Sequence, residues 1–600
     1  MKIALLAATI CLAGWTAQAQ PTAEPARPAP VSPESASGWT DKPGWFYPRQ
    51  AVAAAHPLAT QAGLDILRAG GSALDAAVAI QAVLGLVEPQ SSGIGGGALL
   101  VLHDGQSIWT LDGRETAPAS AHERMFLQAD GRPMPFARAV QSGWSVGVPG
   151  AIRMLDMAHA RWGRLPWARL FEPAIRLASE GFPVSARLHQ LLQEESALKN
   201  DPVARSYFWN AQGEPWPVGH VLRNPEYAAV LQQLALEGSR ALHEGPVATA
   251  IAQAVAREPD GARMTLRDLA EYRALVREPL CTRQATSSRQ FRICGMGPPS
   301  SGMLTIAQIM GMLSKTRPLD AAGPGGPSTV EGMHRYLEAS RLAYADRALY
   351  IGDPDFVPAP GGDWKHLIAE SYLRDRARLI TSRAMTDAPA GRPVPGPMAL
   401  APMPPQTEYG TSHISVVDAQ GRAVAMTTTI EAAFGSRRMV TTDASRAGGF
   451  LLNNQLTDFS FVPADAQGRP MANRVEPGKR PRSSMSPTLV FDKSTGQLLM
   501  SGGSPGGALI IHYTAKLLTG TLHWGLNAQQ AVSLPNFGSL NGPTLLESKG
   551  FPASTIDALK ARGHEVREME MTSGLQAIER TPKGWFGGAD PRREGVVLGD

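Results

Sequence analysis

A threonine hydroxyl is a weak nucleophile unless a base lies beside it, and one base within reach is its own α-amine once the residue stands at a chain terminus. Thr411 is placed for that arrangement. Residues 388–405 carry Pro389, Pro393, Pro395, Pro397, Pro402, Pro404 and Pro405, which exclude regular helix and central strand alike. The run Thr411-Ser-His-Ile-Ser-Val-Val-Asp418 follows directly and reads as a strand. Asp418 to Arg422 turn it, and Ala423 to Ile430 return as its partner, with Thr429 on the return strand. A cut between Gly410 and Thr411 frees the amine, and a loose proline-rich segment lets the new terminus swing clear. On spacing alone, a plain linker between two domains has the same appearance.

Two other motifs with catalytic associations lack their structural context. Gly93-x-Gly95-x-x-Ala98 fits a dinucleotide fingerprint as text, but that loop must follow a strand and open a helix. Here a helical pattern precedes it and a strand-like run follows. Gly143-Trp-Ser-Val-Gly147 fits a nucleophile elbow, which needs a strand running into the serine and a helix running out. Pro133 and Pro135 interrupt any strand before it, and Pro149-Gly150 delay the helix after it. No His-Glu-x-x-His pair or two-cysteine cluster occurs among the 13 histidines and 3 cysteines, so no metal site is expected.

The elements that would hold Thr411 are legible in outline. Leu58, Ala62, Leu64, Leu67, Ala73, Ala76, Val78 and Ile80 recur at helical spacing over 57–87, broken at Gly70-Gly71. Strand-like Ala98 to His103 ends at an Asp104-Gly105 turn. Long amphipathic helices are expected near 150–200 and 225–275, and another from Val330 to Tyr350. Strands are expected at Thr488–Phe491 and Gln497–Ser501. Helices, a proline-rich break and then strands suit one α+β body completed by the C-terminal third.

Composition bounds the classes. The 600 residues are 43% hydrophobic and 18% charged, with 61 Gly and 49 Pro, against roughly 25% charged in average globular proteins. Disorder is excluded, and a net charge of +4 is too small to suggest a nucleic-acid binder. Residues 1–19 read as a cleavable export signal: Lys2, an apolar run from Ile3 to Trp15, then Ala17-Gln-Ala19. That run is too short to span a bilayer, and a periplasmic location is expected. Residues 20–48 read as a Pro/Ala-rich tether. Cys281 and Cys294 flank a hairpin-like stretch and are either a structural disulfide or two reduced buried thiols.

From about residue 50 onward an ordered set of motifs resembles the γ-glutamyltranspeptidase (glutathione hydrolase) family of N-terminal-nucleophile hydrolases. The set comprises Glu88-Pro-Gln-Ser-Ser-Gly-Ile-Gly-Gly-Gly97, Asp112-Gly-Arg-Glu-Thr-Ala-Pro118, Gly147-Val-Pro-Gly150, Pro298-Pro-Ser-Ser-Gly302, Thr411 to Asp418, Leu452-Asn-Asn-Gln-Leu-Thr-Asp-Phe-Ser460, Lys479-Arg-Pro-Arg-Ser-Ser-Met-Ser-Pro-Thr488 and Ser504-Pro-Gly-Gly507. The resemblance implies a four-layer αββα sandwich and self-cleavage into a large subunit, 49–410, and a small one, 411–600. It casts Thr411 as nucleophile, Thr429 as the residue that orients its hydroxyl, and Gly506 and Gly507 as the oxyanion hole. Arg114, Ser483 and Ser484 would hold the α-carboxylate of a γ-glutamyl group; Gln455 and Asp458 would hold its ammonium. The chemistry implied uses no cofactor, and its partners are glutathione-like donors with water or an amino acid or peptide as acceptor.

Two positions depart from the family pattern. Glu431 stands where many members have asparagine, and beside Asp458 it demands a cation or a proton. Residues 459–482 contain no tyrosine, whereas several relatives close the acyl pocket with one; a more open site favouring hydrolysis is expected. A glutaryl- or cephalosporin-type acylase on the same scaffold is one alternative. A non-catalytic periplasmic peptide-binding protein is another.

Overall fold

Fourteen strands in two antiparallel sheets form the centre of the molecule. The first sheet runs Trp45–Tyr47, Gly584–Ala589, Gln576–Thr581, Leu498–Gly503, Thr488–Asp492, Gln290–Gly295, Leu280–Ala285. The second runs Val596–Gly599, Ala51–Ala54, Gly410–Val417, Ala423–Glu431, Gly97–His103, Ile108–Gly113, Leu275–Arg277. The computed structural model describes residues 35–257, 261–316, 329–396 and 399–600. The export-signal reading of 1–19 and most of the tether lie outside the described residues.

Side chains alternate across each strand, and the alternation builds the layers. Ala51, Ala53, Val417, Ala423 and Ala425 meet Leu489, Phe491, Leu498 and Ile578 in one apolar cluster between the sheets. Their neighbours Val52, Val416, Val424 and Met426 join the core made with the helices Pro57–Arg68 and Ala73–Val87. On the other sheet Phe291, Ile293, Val490 and Met500 pack with Gly302–Leu313, Val330–Tyr350 and Ile510–Leu522. The order is helix, sheet, sheet, helix: the expected αββα sandwich. Ser72 and Asp75 start the second helix with a reciprocal cap, and Gly70, at φ 90°, makes the break before it.

Several sequence expectations are corrected. The tether read over 20–48 is too long, because Trp45–Tyr47 is an aromatic edge strand paired with Trp585–Gly587. The long helices expected near 150–200 and 225–275 are cut short: Ala151–Trp162, Glu172–Glu180 and Ala186–Glu194, then Pro225–Glu237, Arg240–His243, Gly245–Val255 and Leu266–Glu271. Gly181 and Gly238, both at positive φ, end two of them. The proline-rich stretch has no helix or strand among its described residues, but it is not loose. Ala401 and Met403 are buried, and their N–H groups donate to Pro470 O and Ala348 O, each at 2.9 Å. Cys281 and Cys294 face each other across the hairpin Leu280–Ala285/Gln290–Gly295 and are joined as a disulfide.

Both discarded motifs sit in the wrong context. Helix Ala73–Val87 precedes the glycine run and strand Gly97–His103 follows it. Ser145 lies in a short 3-10 turn after the helix Phe136–Gln141, its hydroxyl bonded to Val140 O and Ser142 O.

Candidate active site

The Gly410–Thr411 peptide lies at a register irregularity. Gly410 pairs with Glu431 and Ser412 with Thr428, so the single residue Thr411 faces two, Thr429 and Ile430, and the return strand bulges there, where a strand can re-aim a side chain. Its Oγ1 donates to the carbonyl oxygen of Gly410 at 2.5 Å. Thr429 Oγ1 donates to the same oxygen at 2.6 Å and itself accepts from Glu431 N at 2.7 Å. Two hydroxyls thus polarise one carbonyl, and the Thr429 hydroxyl can stay in place if that oxygen becomes an anion. Thr429, expected to orient the nucleophile's hydroxyl, therefore bonds to the carbonyl that the hydroxyl would attack. Glu431 holds φ 77°, rare for a residue with a side chain.

Nine of the ten proposed catalytic and binding residues line one cavity of about 20 Å³: Arg114, Thr411, Thr429, Glu431, Gln455, Asp458, Ser483, Ser484 and Gly507. That volume holds about one water. The chain itself fills the rest, because Glu408, Tyr409 and Gly410 line the same space. Gly506, at φ 128°, caps the turn that leads into the helix Ile510–Leu522. A Cβ on Gly507 would lie 2.1 Å from Glu408 O, so the glycine is required for the chain to pass. Gly507 is covered by Glu408 and Tyr409, just upstream of Thr411, whereas Gly506 lies against the Tyr513 ring.

Polar groups divide the cavity into an acidic and a basic side. Gln455 Nε2 donates to Asp458 Oδ2 at 2.7 Å, while Gln455 Oε1 and Asp458 Oδ1 are buried without a hydrogen-bond donor. Glu431 accepts from Tyr409 N at 3.0 Å and from the Asn454 amide. Burial, then the charge of Asp458, pushes Glu431 well above the usual carboxylate range. Burial also pushes Asp458 up to about 6 against the pull of Arg114, with Glu408 adding to the rise. Orphaned acceptors beside a carboxyl group await a cation with several N–H donors.

Arg114 is less available than expected. Its Nη2 donates to Asp458 Oδ2 at 2.5 Å and to Arg482 O at 3.0 Å, and its Nε to Pro481 O at 3.2 Å. Ser483 Oγ accepts from Met485 N at 3.1 Å. Ser484 Oγ donates to Glu408 Oε2 at 2.5 Å and accepts from Arg347 Nη2 at 2.6 Å. Arg347 also donates to Glu408 Oε1 at 2.7 Å.

Sequence reasoning did not single out Glu408, Arg347, Arg482 or Asn454. Glu408 lies close to the proposed cut, and Asn454 and Arg482 stand within two of the quoted motifs; Arg347 carries no such signal and is an ordinary helix residue until folding brings it to the cavity. Away from the cavity, buried His334, Glu338 and His564 bring possible metal-ligand atoms within 4.8 Å of one another. Their polar atoms are engaged: His334 with His564 and Thr381 O, Glu338 with Arg341 and Met385 N, His564 with Thr544.

The γ-glutamyltranspeptidase family model matches residues 59–600. The chain belongs to that family. It is 35% identical over 560 residues to the glutathione hydrolase proenzyme of Escherichia coli (strain K12), covering 91% of this chain and 92% of that protein. The corresponding proenzyme of Bacillus subtilis (strain 168) is 33% identical, with 91% of each covered. Among solved structures, a cephalosporin acylase from Bacillus halodurans superposes with a TM-score of 0.79 at 26% identity, covering 95% of this chain and 99% of that one. Both of these relatives are named proenzymes, and the cavity here is filled by the chain just upstream of Thr411.

Proposed function

We propose that this protein is a self-processing γ-glutamyl hydrolase/transpeptidase whose nucleophile is Thr411. The observation that carries the reading is the pair of hydroxyls, Thr411 and Thr429, on the one carbonyl that must be cut. Attack of Thr411 Oγ1 on Gly410 C moves the acyl group from nitrogen to oxygen. Water then cleaves the ester, leaving a Gly410 carboxylate and a free Thr411 amine. In the processed enzyme Thr411 Oγ1 attacks the γ-amide carbonyl of glutathione or a related donor, its amine takes the proton and passes it to the leaving amine, and Gly506 and Gly507 N–H groups stabilise the oxyanion. Water or an amino-group acceptor releases the acyl group. Gln455, Asp458 and Glu431 receive the donor's ammonium. With no tyrosine in 459–482 to close the pocket, hydrolysis outruns transfer. The 1–19 pattern and the Cys281–Cys294 disulfide support export to the periplasm.

The test is the Thr411→Ala variant, run on a denaturing gel and assayed with a γ-glutamyl anilide. One intact chain without activity is expected, whereas wild type gives two fragments, the smaller beginning Thr-Ser-His. A Thr411→Ala chain that still divides would overturn the assignment.

A further inference from the structure

The oxyanion donors proposed above are backbone N–H groups of two glycines, and neither glycine has a side chain to hold its own conformation. Gly506 and Gly507 stand at φ 128° and 54°, and glycine moves easily between such states. The 3-10 turn Gly507–Leu509 follows, with Leu509 N donating to Gly506 O at 3.1 Å. At its start the Tyr513 ring lies against Gly506. At its end Tyr344 Oη donates to the carbonyl oxygen of Ala508 at 2.6 Å. Tyr344 belongs to the helix Val330–Tyr350, which precedes the proposed cut, whereas the turn follows it.

The Tyr344 ring is itself fixed. It stacks on His512 with ring centroids 5.1 Å apart and planes 15° apart. His512 lies one helical turn beyond Ala508, so ring and hydroxyl hold the same stretch of chain. The Arg347 guanidinium lies 5.5 Å from the centre of the Tyr344 ring. Ser539 O can only accept, so His512 Nε2–H donates to it at 3.1 Å and Nδ1 accepts from the Tyr336 hydroxyl at 3.0 Å. Burial pulls the His512 imidazole down to about 4, which keeps it neutral. Burial also raises the Tyr344 phenol well above its ordinary value, so the hydroxyl stays a donor.

An oxyanion hole works when its N–H groups stand about 2.7–3.1 Å from the place where charge develops, and a misplacement of about 1 Å costs about a hundredfold in rate. We propose that Tyr344 is a positioning residue: through its bond to Ala508 O it holds the Gly506 and Gly507 N–H groups in the geometry that stabilises the oxyanion during turnover. This inference rests on the acyl-transfer reading above. Self-cleavage does not share the dependence, because the Gly410 oxygen is met by Thr429 Oγ1 at 2.6 Å, while Glu408 and Tyr409 cover Gly507. Turnover has it twice, since formation and hydrolysis of the acyl-enzyme both pass through a tetrahedral oxyanion.

The experiment uses Tyr344→Phe, which deletes one hydroxyl and keeps the ring on His512. With γ-glutamyl p-nitroanilide, kcat should fall about tenfold while KM stays within about twofold, as a loosening smaller than a full displacement of the donors would give. The rate at which fragments appear on a denaturing gel should match wild type. Tyr227→Phe is the control: that hydroxyl also donates to a buried backbone carbonyl, Ala82 O at 3.0 Å, but in the opposite helical layer, and its loss should leave kcat unchanged. An unaltered kcat in Tyr344→Phe overturns the proposal, and so does a rise in KM alone. Self-cleavage slowed as much as turnover, including a variant that never processes, would make Tyr344 merely structural and also overturn it. An equal fall in kcat in Tyr227→Phe would do the same. A wild-type enzyme with no Thr411-dependent turnover of the anilide fails the acyl-transfer reading instead, which separates the two failures.

Discussion

At the scale of single residues, the telling contrast is between Thr411 and Thr429, which share one acceptor. Thr411 must give up its bond to Gly410 O when its oxygen turns toward the carbon, and Thr429 is then the hydroxyl that remains on the growing charge. The Glu431 N–H fixes Thr429 by donating to it, which leaves the Thr429 proton for Gly410. Thr429→Val removes that proton with little change in shape. Self-cleavage should then slow by about 10²–10³-fold, the usual cost of one oxyanion donor, and Thr429→Ser should recover most of it. A time course of fragment appearance on a denaturing gel measures both. Undiminished cleavage in the valine variant would show that Thr429 serves only as a β-branched strand residue.

At the scale of elements, the segment before Thr411 works as a brace rather than a tether. Met403 N is bonded to Ala348 O, Gln406 Nε2 to Phe459 O at 3.0 Å, Glu408 to Arg347 and Ser484, and Tyr409 N to Glu431. Four successive anchors draw Gly410 against the hydroxyls. Glu408→Gln keeps the shape but replaces a charged pair with neutral contacts, a loss of about 1.5–3 kcal/mol at the clamp. If about half of that reaches the scissile bond, cleavage slows roughly tenfold; an unaltered rate would show that the clamp does not position the peptide.

The brace also marks where sequence reasoning stopped. The hairpin and nine cavity residues were legible because strand periodicity and ordered motifs are local. Glu408, Arg347 and Arg482 were not, because their role comes from three distant segments meeting around one charge. Proline content predicted correctly that the described residues of 388–405 form no helix or strand, yet it carries no information about tertiary hydrogen bonds, so the expectation of looseness failed. The length of helices near 150–200 failed for a related reason: amphipathic spacing continues across Gly181 although its positive φ ends the helix.

At the scale of the whole molecule, the proposed cut falls inside a structure whose sheets are woven from both sides of it. In one sheet Ala51–Ala54 lies between Val596–Gly599 and Gly410–Val417, and Ala423–Glu431 pairs with Gly97–His103. In the other, Trp45–Tyr47 pairs with Gly584–Ala589, and Gln290–Gly295 with Thr488–Asp492. Buried contacts away from the sheets cross as well, His334 to His564 and Arg341 to Ser539 and Thr544. Separating the fragments would expose strand edges and tear the cluster between the sheets, so separation amounts to unfolding. The disulfide contributes nothing to this union, since Cys281 and Cys294 both precede the cut. Processed protein should therefore show two bands on a denaturing gel yet elute as one species in size-exclusion chromatography. Reductant should leave that species intact, and denaturant should divide it only across the same transition that abolishes the native circular-dichroism signal. Fragments that part before that transition would show that the strand seams do not hold the molecule together.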